Sequence, residues 1–193
     1  MRARAWISVG IAALSCAALG VLLGVLWVRL TPRVDLFVSG GKGYPQGFQP
    51  EGYATADGLA ALLCTLAGVV VGIAVMLVLR RGAGGSGPRE VYLGLALGVG
   101  LGLIGAGCLW ITGTVLGATD LEAQLAGAED GDTLVAPLRL RIPGVLMLWP
   151  IASVAVIFFV ALAGWGRHAL TSRGERSHAA SRDDAPDAAP SAE

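Results

Sequence analysis

The chain has 193 residues, of which 54% are hydrophobic and 15% charged, and its formal net charge is zero. A zero net charge by itself indicates nothing about partners, and we predict no nucleic-acid partner. The charged residues are also unevenly distributed, because long parts of the chain contain none. This pattern indicates an integral membrane protein.

Four apolar stretches without any charged residue cover residues 6–28, 58–79, 91–118 and 144–166. Each exceeds the roughly 20 residues that a helix needs to cross the hydrocarbon core of a bilayer. The sequence therefore predicts an all-α membrane protein, in which residues 1–166 form a four-transmembrane-helix bundle built from two helical hairpins. We expect the lipid bilayer itself to be a partner.

The predicted spans contain no Asp, Glu, Lys, Arg or His, the residue types that mark ion paths and catalytic sites at membrane depth. Cys16, Cys64 and Cys108 lie one in each of three spans, where a thiol behaves as a small apolar residue. We therefore predict no catalytic residue, no cofactor site and no metal site, and a protein that is not an enzyme.

Sorting the charges by the side of the membrane on which they fall shows an asymmetry. One side receives nine basic residues: Arg2, Arg4, Arg80, Arg81, Arg89, Arg167, Arg173, Arg176 and Arg182. The other receives five (Arg29, Arg33, Lys42, Arg139 and Arg141) against eight acidic ones (Asp35, Glu51, Asp57, Asp120, Glu122, Glu129, Asp130 and Asp132). By the positive-inside rule, both termini lie in the cytoplasm and the two longer loops face outward from the plasma membrane.

The five tryptophans all fall near the predicted span ends. They are Trp6, Trp27, Trp110, Trp149 and Trp165. Indole rings favour the headgroup level of a bilayer, where the apolar ring and the polar N–H are both accommodated. We therefore interpret these five side chains as interfacial anchors rather than as core residues.

Small residues recur every fourth position within the spans. Gly94, Gly98, Gly102 and Ala106 share one face of span three. Pairs with the same spacing occur in spans one and two, at Gly20 with Gly24 and at Gly68 with Gly72. Such faces allow helix backbones to approach closely. We place span three at the centre of the bundle and favour packing within one chain over packing between chains.

The two outward loops contain alternating apolar residues, which are Val34, Leu36 and Val38 in the first and Leu134, Ala136, Leu138, Leu140 and Ile142 in the second. A period of two is typical of strands. We expect the two extracytoplasmic loops to pair into a small β cap.

The first loop also carries aromatic residues among Gly and Pro, namely Tyr44, Phe48 and Tyr53. They could bind an extended polymer or the edge of a partner protein; the alternative is that they anchor the loop to the membrane surface or to its own cap. The acidic run from Glu129 to Asp132 lacks the ligand spacing of a calcium loop, and we interpret it as a solvated turn.

From Arg167 onward the composition changes to Ser, Ala, Pro, Arg and Asp, with almost no large apolar residue. Such segments cannot bury enough apolar surface to fold alone. Residues 167–193 are therefore predicted to be a disordered cytoplasmic tail.

Three features of the chain resemble a family of small actinobacterial membrane proteins with four spans, a domain-of-unknown-function family. They are Trp27-Val-Arg-Leu-Thr-Pro32, Asp57 before span two, and the outward segment that leads into Pro143. Thirteen Arg against a single Lys and the absence of Asn also resemble a high-GC actinobacterial genome. The resemblance implies no known activity, cofactor or catalytic residue.

Three hypotheses about function follow. The first is a non-catalytic cell-envelope protein that presents its outward loops to another envelope protein or cell-wall component. The alternative is a small transporter or channel subunit built from two duplicated hairpins, which requires a polar lumen that the spans do not supply. The third, a membrane enzyme, would have to use outward carboxylates such as Asp35, Asp57 and Asp120.

Overall fold

A computed structural model describes the backbone of residues 2–45, 50–83 and 88–183, and the side chains of residues 6–44, 54–81 and 89–165. The elements in chain order are α1 (Arg2–Leu30), β1 (Asp35–Ser39), β2 (Lys42–Pro45), α2 (Pro50–Ala83), α3 (Pro88–Gly117), α4 (Leu121–Ala126), β3 (Thr133–Val135) and α5 (Leu148–Asp183). A short 3-10 helix, Pro143–Met147, leads into α5.

Four of these helices, α1, α2, α3 and α5, are long and apolar enough to cross a bilayer. Their most apolar parts coincide with the four predicted spans, and a three-stranded sheet joins the two loops on one side of the bundle. The predicted fold class, a four-helix membrane bundle with a small β cap, is therefore confirmed. We call the sheet together with α4 the cap.

All four long helices extend beyond the predicted spans at one end or both, and α2 and α5 extend furthest. α2 begins at Pro50 rather than Gly58, because a proline at the first helical position lacks only an N–H that would be unsatisfied anyway. α5 continues to Asp183, which corrects the prediction of disorder from Arg167. That stretch is rich in Ala and Arg, has no proline before Pro186, and so has adequate helix propensity. The remainder of the predicted tail, residues 184–193, lies outside the described residues.

The main packing contacts join the two helical hairpins, α1–α2 and α3–α5, rather than the two helices within one hairpin. α1 packs chiefly against α3, and α2 packs chiefly against α5, whereas α1 and α2 touch little. Because α1 and α3 run in the same direction, as do α2 and α5, both main contacts are parallel. α3 also contacts α2 and α5, so it lies at the centre of the bundle as predicted.

The glycine pairs on α1 and α2 mark these two parallel contacts. A Cβ placed on Gly24 would lie 2.8 Å from the Leu109 carbonyl oxygen of α3. A Cβ on Gly72 would lie 2.8 Å from the Ser153 carbonyl oxygen of α5. The absence of a side chain at these sites brings backbone against backbone, which allows dispersion contacts in a solvent of lipid. The predicted close-packing role of the glycines, within one chain, is confirmed.

The small-residue face of α3 packs against α5. A Cβ on Gly98 would lie 2.9 Å from Ile157 Cδ1, and one on Gly102 would lie 2.7 Å from Pro150 Cα. Ala106, on the same face, is buried. This face of α3 is therefore in close contact with the part of α5 from Pro150 to Ile157.

The cap sheet has the strand order β2-β1-β3, and both pairings are antiparallel. Gly40 and Gly41 join β1 to β2 with φ angles of 58° and 71°, the left-handed values that a two-residue hairpin turn with right-handed strand twist requires. β1 alternates exposed and buried side chains, and Leu36 and Val38 point inward. The predicted alternation in the first loop is therefore confirmed as a strand.

The interpretation of all five tryptophans as interfacial anchors is wrong for two of them. Trp6, Trp110 and Trp165 are exposed on the bundle surface, but Trp27 and Trp149 are fully buried. The reason lies in α3, where Gly113 faces the Trp27 ring and Gly105 faces the Trp149 ring, so each indole occupies space that a side chain would otherwise fill.

Candidate functional site

An extended segment of residues 136–142, which we call the strap, connects the cap to the bundle. The Ala136 N–H donates to the Val34 carbonyl at 2.9 Å, and the Leu138 N–H donates to the Gly117 carbonyl at 3.0 Å. Ala136 and Leu138 are buried, whereas Arg139 and Arg141 are exposed. The predicted alternation is thus present from Leu134 to Leu140, but it is wrong for Ile142, whose side chain is exposed. The strap is not a strand beyond β3, because its hydrogen bonds go to different elements in turn.

The last of these hydrogen bonds reaches the start of α2. The Arg141 N–H donates to Asp57 Oδ1 at 3.2 Å, and Asp57 is 7% exposed. One residue earlier in α2, the Ala56 carbonyl accepts a 2.9 Å hydrogen bond from Trp27 Nε1 of α1. The strap, α1 and α2 are therefore joined through adjacent residues at the cap side of the bundle.

We expect Asp57→Ala to loosen the strap, because the partly buried Arg141 N–H then loses its acceptor. A fully buried donor left unsatisfied costs about 1–3 kcal/mol, so we expect a cost at the lower end of that range. Trypsin should cleave after Arg139 and Arg141 faster in this variant than in the wild type. Asp57→Asn keeps an acceptor oxygen and should be protected more than Asp57→Ala. Equal cleavage rates for Asp57→Ala and for Asp35→Ala, whose side chain is exposed on β1, would contradict this role.

The exposed side of the cap sheet, which we call the outer face, carries an aromatic pair. Phe37 of β1 lies directly opposite Tyr44 of β2, and their side chains are 40% and 52% exposed. Thr133 of β3 lies opposite Phe37 on its other side. Val135, also exposed, completes an apolar patch that neither the bundle nor α4 covers.

Of this pair, the sequence indicates only Tyr44 as a candidate binding residue, because it lies in a glycine-rich loop. Phe37 is not predicted. The signal was the alternation itself, because placing Val34, Leu36 and Val38 inside puts Phe37 outside. Phe48 and the side chain of Tyr53 lie outside the described residues.

The three carboxylates considered for acid–base chemistry have separate environments. Asp57 is held under the strap. Asp120 Oδ1 accepts the Ala123 N–H at 3.0 Å and caps α4, whereas Asp35 lies on the outer face. Asp57 and Asp120 therefore hold local backbone structure, and Asp35 lies at the surface.

The acidic run forms a turn, as predicted, and its carboxylates bind backbone amides. Asp130 Oδ1 accepts the Gly40 N–H at 2.8 Å, and Asp132 Oδ2 accepts the Glu129 N–H at 2.9 Å. Among the described residues, no group of three or more His, Cys, Asp or Glu side chains could hold a metal ion. The Asp130 contact joins this turn to the β1–β2 hairpin and so fixes the outer face.

The site is therefore an exposed aromatic face on a cap that the strap connects to the four-helix bundle. Comparison of the chain with protein-family models, with curated proteins and with solved structures finds no match. The resemblance to an actinobacterial four-span family stays a prediction.

Proposed function

We propose that the chain is a multi-pass protein of the plasma membrane, with both termini in the cytoplasm, whose outward cap binds another envelope protein or a cell-wall component without catalysing a reaction. The excess of arginine on the side of the termini supports this orientation. The observation that carries the binding role is the exposed pair of Phe37 and Tyr44 on the outer face.

The physical reason is that large aromatic side chains are enriched at the energetic centres of interfaces. Both edge strands, β2 and β3, also have one side that no other strand of the described sheet pairs with. A partner can therefore cover the aromatic pair and extend the sheet at its edge, which is a common mode of peptide recognition. The alternative of a transporter or channel subunit stays a prediction, and no feature of the described residues favours it.

The test places a photo-crosslinking amino acid at Thr133, next to Phe37 on the outer face, in intact cells. We expect a discrete crosslinked adduct, and Phe37→Ala with Tyr44→Ala should reduce its yield at least about tenfold, which corresponds to about 1.4 kcal/mol. Because both side chains are exposed, the thermal unfolding midpoint should not change.

The matched control places the same crosslinker at Glu129, in the exposed turn beside α4. We expect no such adduct there. Crosslinking of Thr133 to lipid alone, or an adduct whose yield is unaffected by the double substitution, would contradict the proposal.

A further inference from the structure

A cleft of about 630 Å³ lies between the strap and the corner where α3 turns into α4. Arg139 and Arg141 line it from the strap, and Asp120 and Glu122 line it from the α4 side. Leu36, Leu121 and Leu140 contribute apolar surface to the same cleft. It is of a size that accommodates a small ligand, and it offers charges of both signs.

A second cavity of about 380 Å³ adjoins the first and shares Thr119, Pro137, Arg139 and Leu140 with it. Its remaining lining includes Trp110 and Thr114, one helical turn apart in the membrane-spanning part of α3. The Thr114 hydroxyl already donates to the Trp110 carbonyl at 2.8 Å, so this wall offers apolar surface to a ligand. We call the two together the joined cavities; they extend from the Trp110 side of α3 to the charged cleft beside the cap.

Two charged side chains in the cleft are available to a ligand. Within the described part of the chain, neither Arg139 nor Glu122 makes a side-chain hydrogen bond or an ion pair, and both are exposed. Asp120, in contrast, already uses one carboxylate oxygen, Oδ1, to cap α4. A guanidinium group suits the oxygens of a phosphate, and a carboxylate suits an ammonium group.

We propose that the joined cavities bind one glycerophospholipid, with its phosphate beside Arg139, its headgroup ammonium beside Glu122 and one acyl chain along Trp110. The combination of charges selects a phosphoethanolamine headgroup over one that carries phosphate alone. The Trp110 ring accounts for the acyl chain, since contact between a hydrocarbon chain and an apolar ring needs no polar partner. This lipid site is separate from the aromatic pair on the outer face.

Native mass spectrometry of the full chain in detergent, titrated with lipids of identical acyl chains, tests the site. We expect phosphatidylethanolamine to bind more tightly than phosphatidylglycerol, and diacylglycerol to bind weakest. Arg139→Gln should weaken binding of both phospholipids about tenfold. Glu122→Gln should reduce the affinity for phosphatidylethanolamine to that for phosphatidylglycerol.

Matched controls replace residues of the same type outside the cleft. Arg29→Gln, at the cap end of α1, and Glu129→Gln should both leave lipid binding unchanged. A loss with Arg29→Gln equal to that with Arg139→Gln would overturn the proposal, as would equal binding of diacylglycerol and phosphatidylethanolamine.

Two further experiments distinguish this lipid site from a site for free phosphate and from the aromatic pair on the outer face. Inorganic phosphate and soluble phosphoethanolamine should displace the lipid poorly, because they lack the acyl chain; displacement at concentrations matching the lipid would instead identify a free phosphate site. Phe37→Ala with Tyr44→Ala should leave lipid binding unchanged, and Arg139→Gln should leave the Thr133 crosslink unchanged. Loss of lipid binding in the double variant would overturn the separation of the two sites.

Discussion

Gly68→Ala is expected to destabilise the protein by about 1–3 kcal/mol, the usual cost of forcing an extra carbon into a well-packed contact. A Cβ on Gly68 would overlap the Trp149 carbonyl oxygen and lie 2.8 Å from Ala152 Cβ. A change of side-chain rotamer cannot relieve an overlap with backbone, so α2 and α5 must separate. Separation also stretches the 2.9 Å hydrogen bond that Ser153 Oγ donates to the Gly68 carbonyl.

The measurement is the free energy of unfolding in mixed micelles, and the matched control is Gly58→Ala in the same helix. Nothing lies within 4 Å of a Cβ on Gly58, so that variant should be neutral or gain up to about 1 kcal/mol from the better helix propensity of alanine. Equal effects of Gly58→Ala and Gly68→Ala would show that helix propensity, rather than the α2–α5 contact, sets the cost.

Trp27→Ala is expected to have the second large effect, a loss of about 3 kcal/mol. That value is at the lower end of the range for truncating a buried aromatic residue, because lipid solvates the exposed apolar surface better than water does. The side chain is fully buried against Gly113, and its Nε1 donates to the Ala56 carbonyl. Removing the indole leaves a cavity between α1 and α3 and removes a hydrogen bond to α2.

Two variants make this prediction specific. Trp27→Phe keeps most of the volume and should lose less than Trp27→Ala, with about 1 kcal/mol assigned to the hydrogen bond. Trp6→Ala, in the same helix but with a 74% exposed side chain, should change the free energy of unfolding little. If Trp6→Ala costs as much as Trp27→Ala, the indole of Trp27 does not hold the helices together.

The sequence was sufficient to predict the four helices, because the length of a charge-free apolar run is a direct physical requirement for crossing a bilayer. It also predicted the close-packing glycines, since spacing by four places residues on one helix face. It did not predict which helices those glycines would join. That choice depends on the facing residues, and the structure shows α1 against α3 and α2 against α5.

The burial of the tryptophans also depends on facing residues that the local sequence does not indicate. Position at a span end is shared by lipid anchors and by buried residues, so Trp6 and Trp27 look alike in the sequence. Trp27 and Trp149 are buried because Gly113 and Gly105 on another helix leave room for their rings. Only the register between helices, a long-range property, distinguishes the two cases.

Within the cap, the alternation of apolar residues predicted more of the structure than the amino-acid composition did. The alternation of Val34, Leu36 and Val38 correctly indicated β1, and it implies the exposure of Phe37. The same pattern in residues 134–142 gave only a three-residue strand, because the strap finds its partners in Val34, Gly117 and Asp57 rather than in a neighbouring strand. Neither cavity beside the strap could be predicted, since each is formed by segments distant in the chain.

Thiol accessibility measures the orientation of the chain most directly. Single cysteines at positions 42 and 85, in a background lacking Cys16, Cys64 and Cys108, are treated in intact cells with a membrane-impermeant maleimide. The proposed topology requires labelling at position 42, in the cap, and labelling at position 85, between α2 and α3, only after permeabilisation. Labelling of position 85 and protection of position 42 in intact cells would contradict an outward-facing cap.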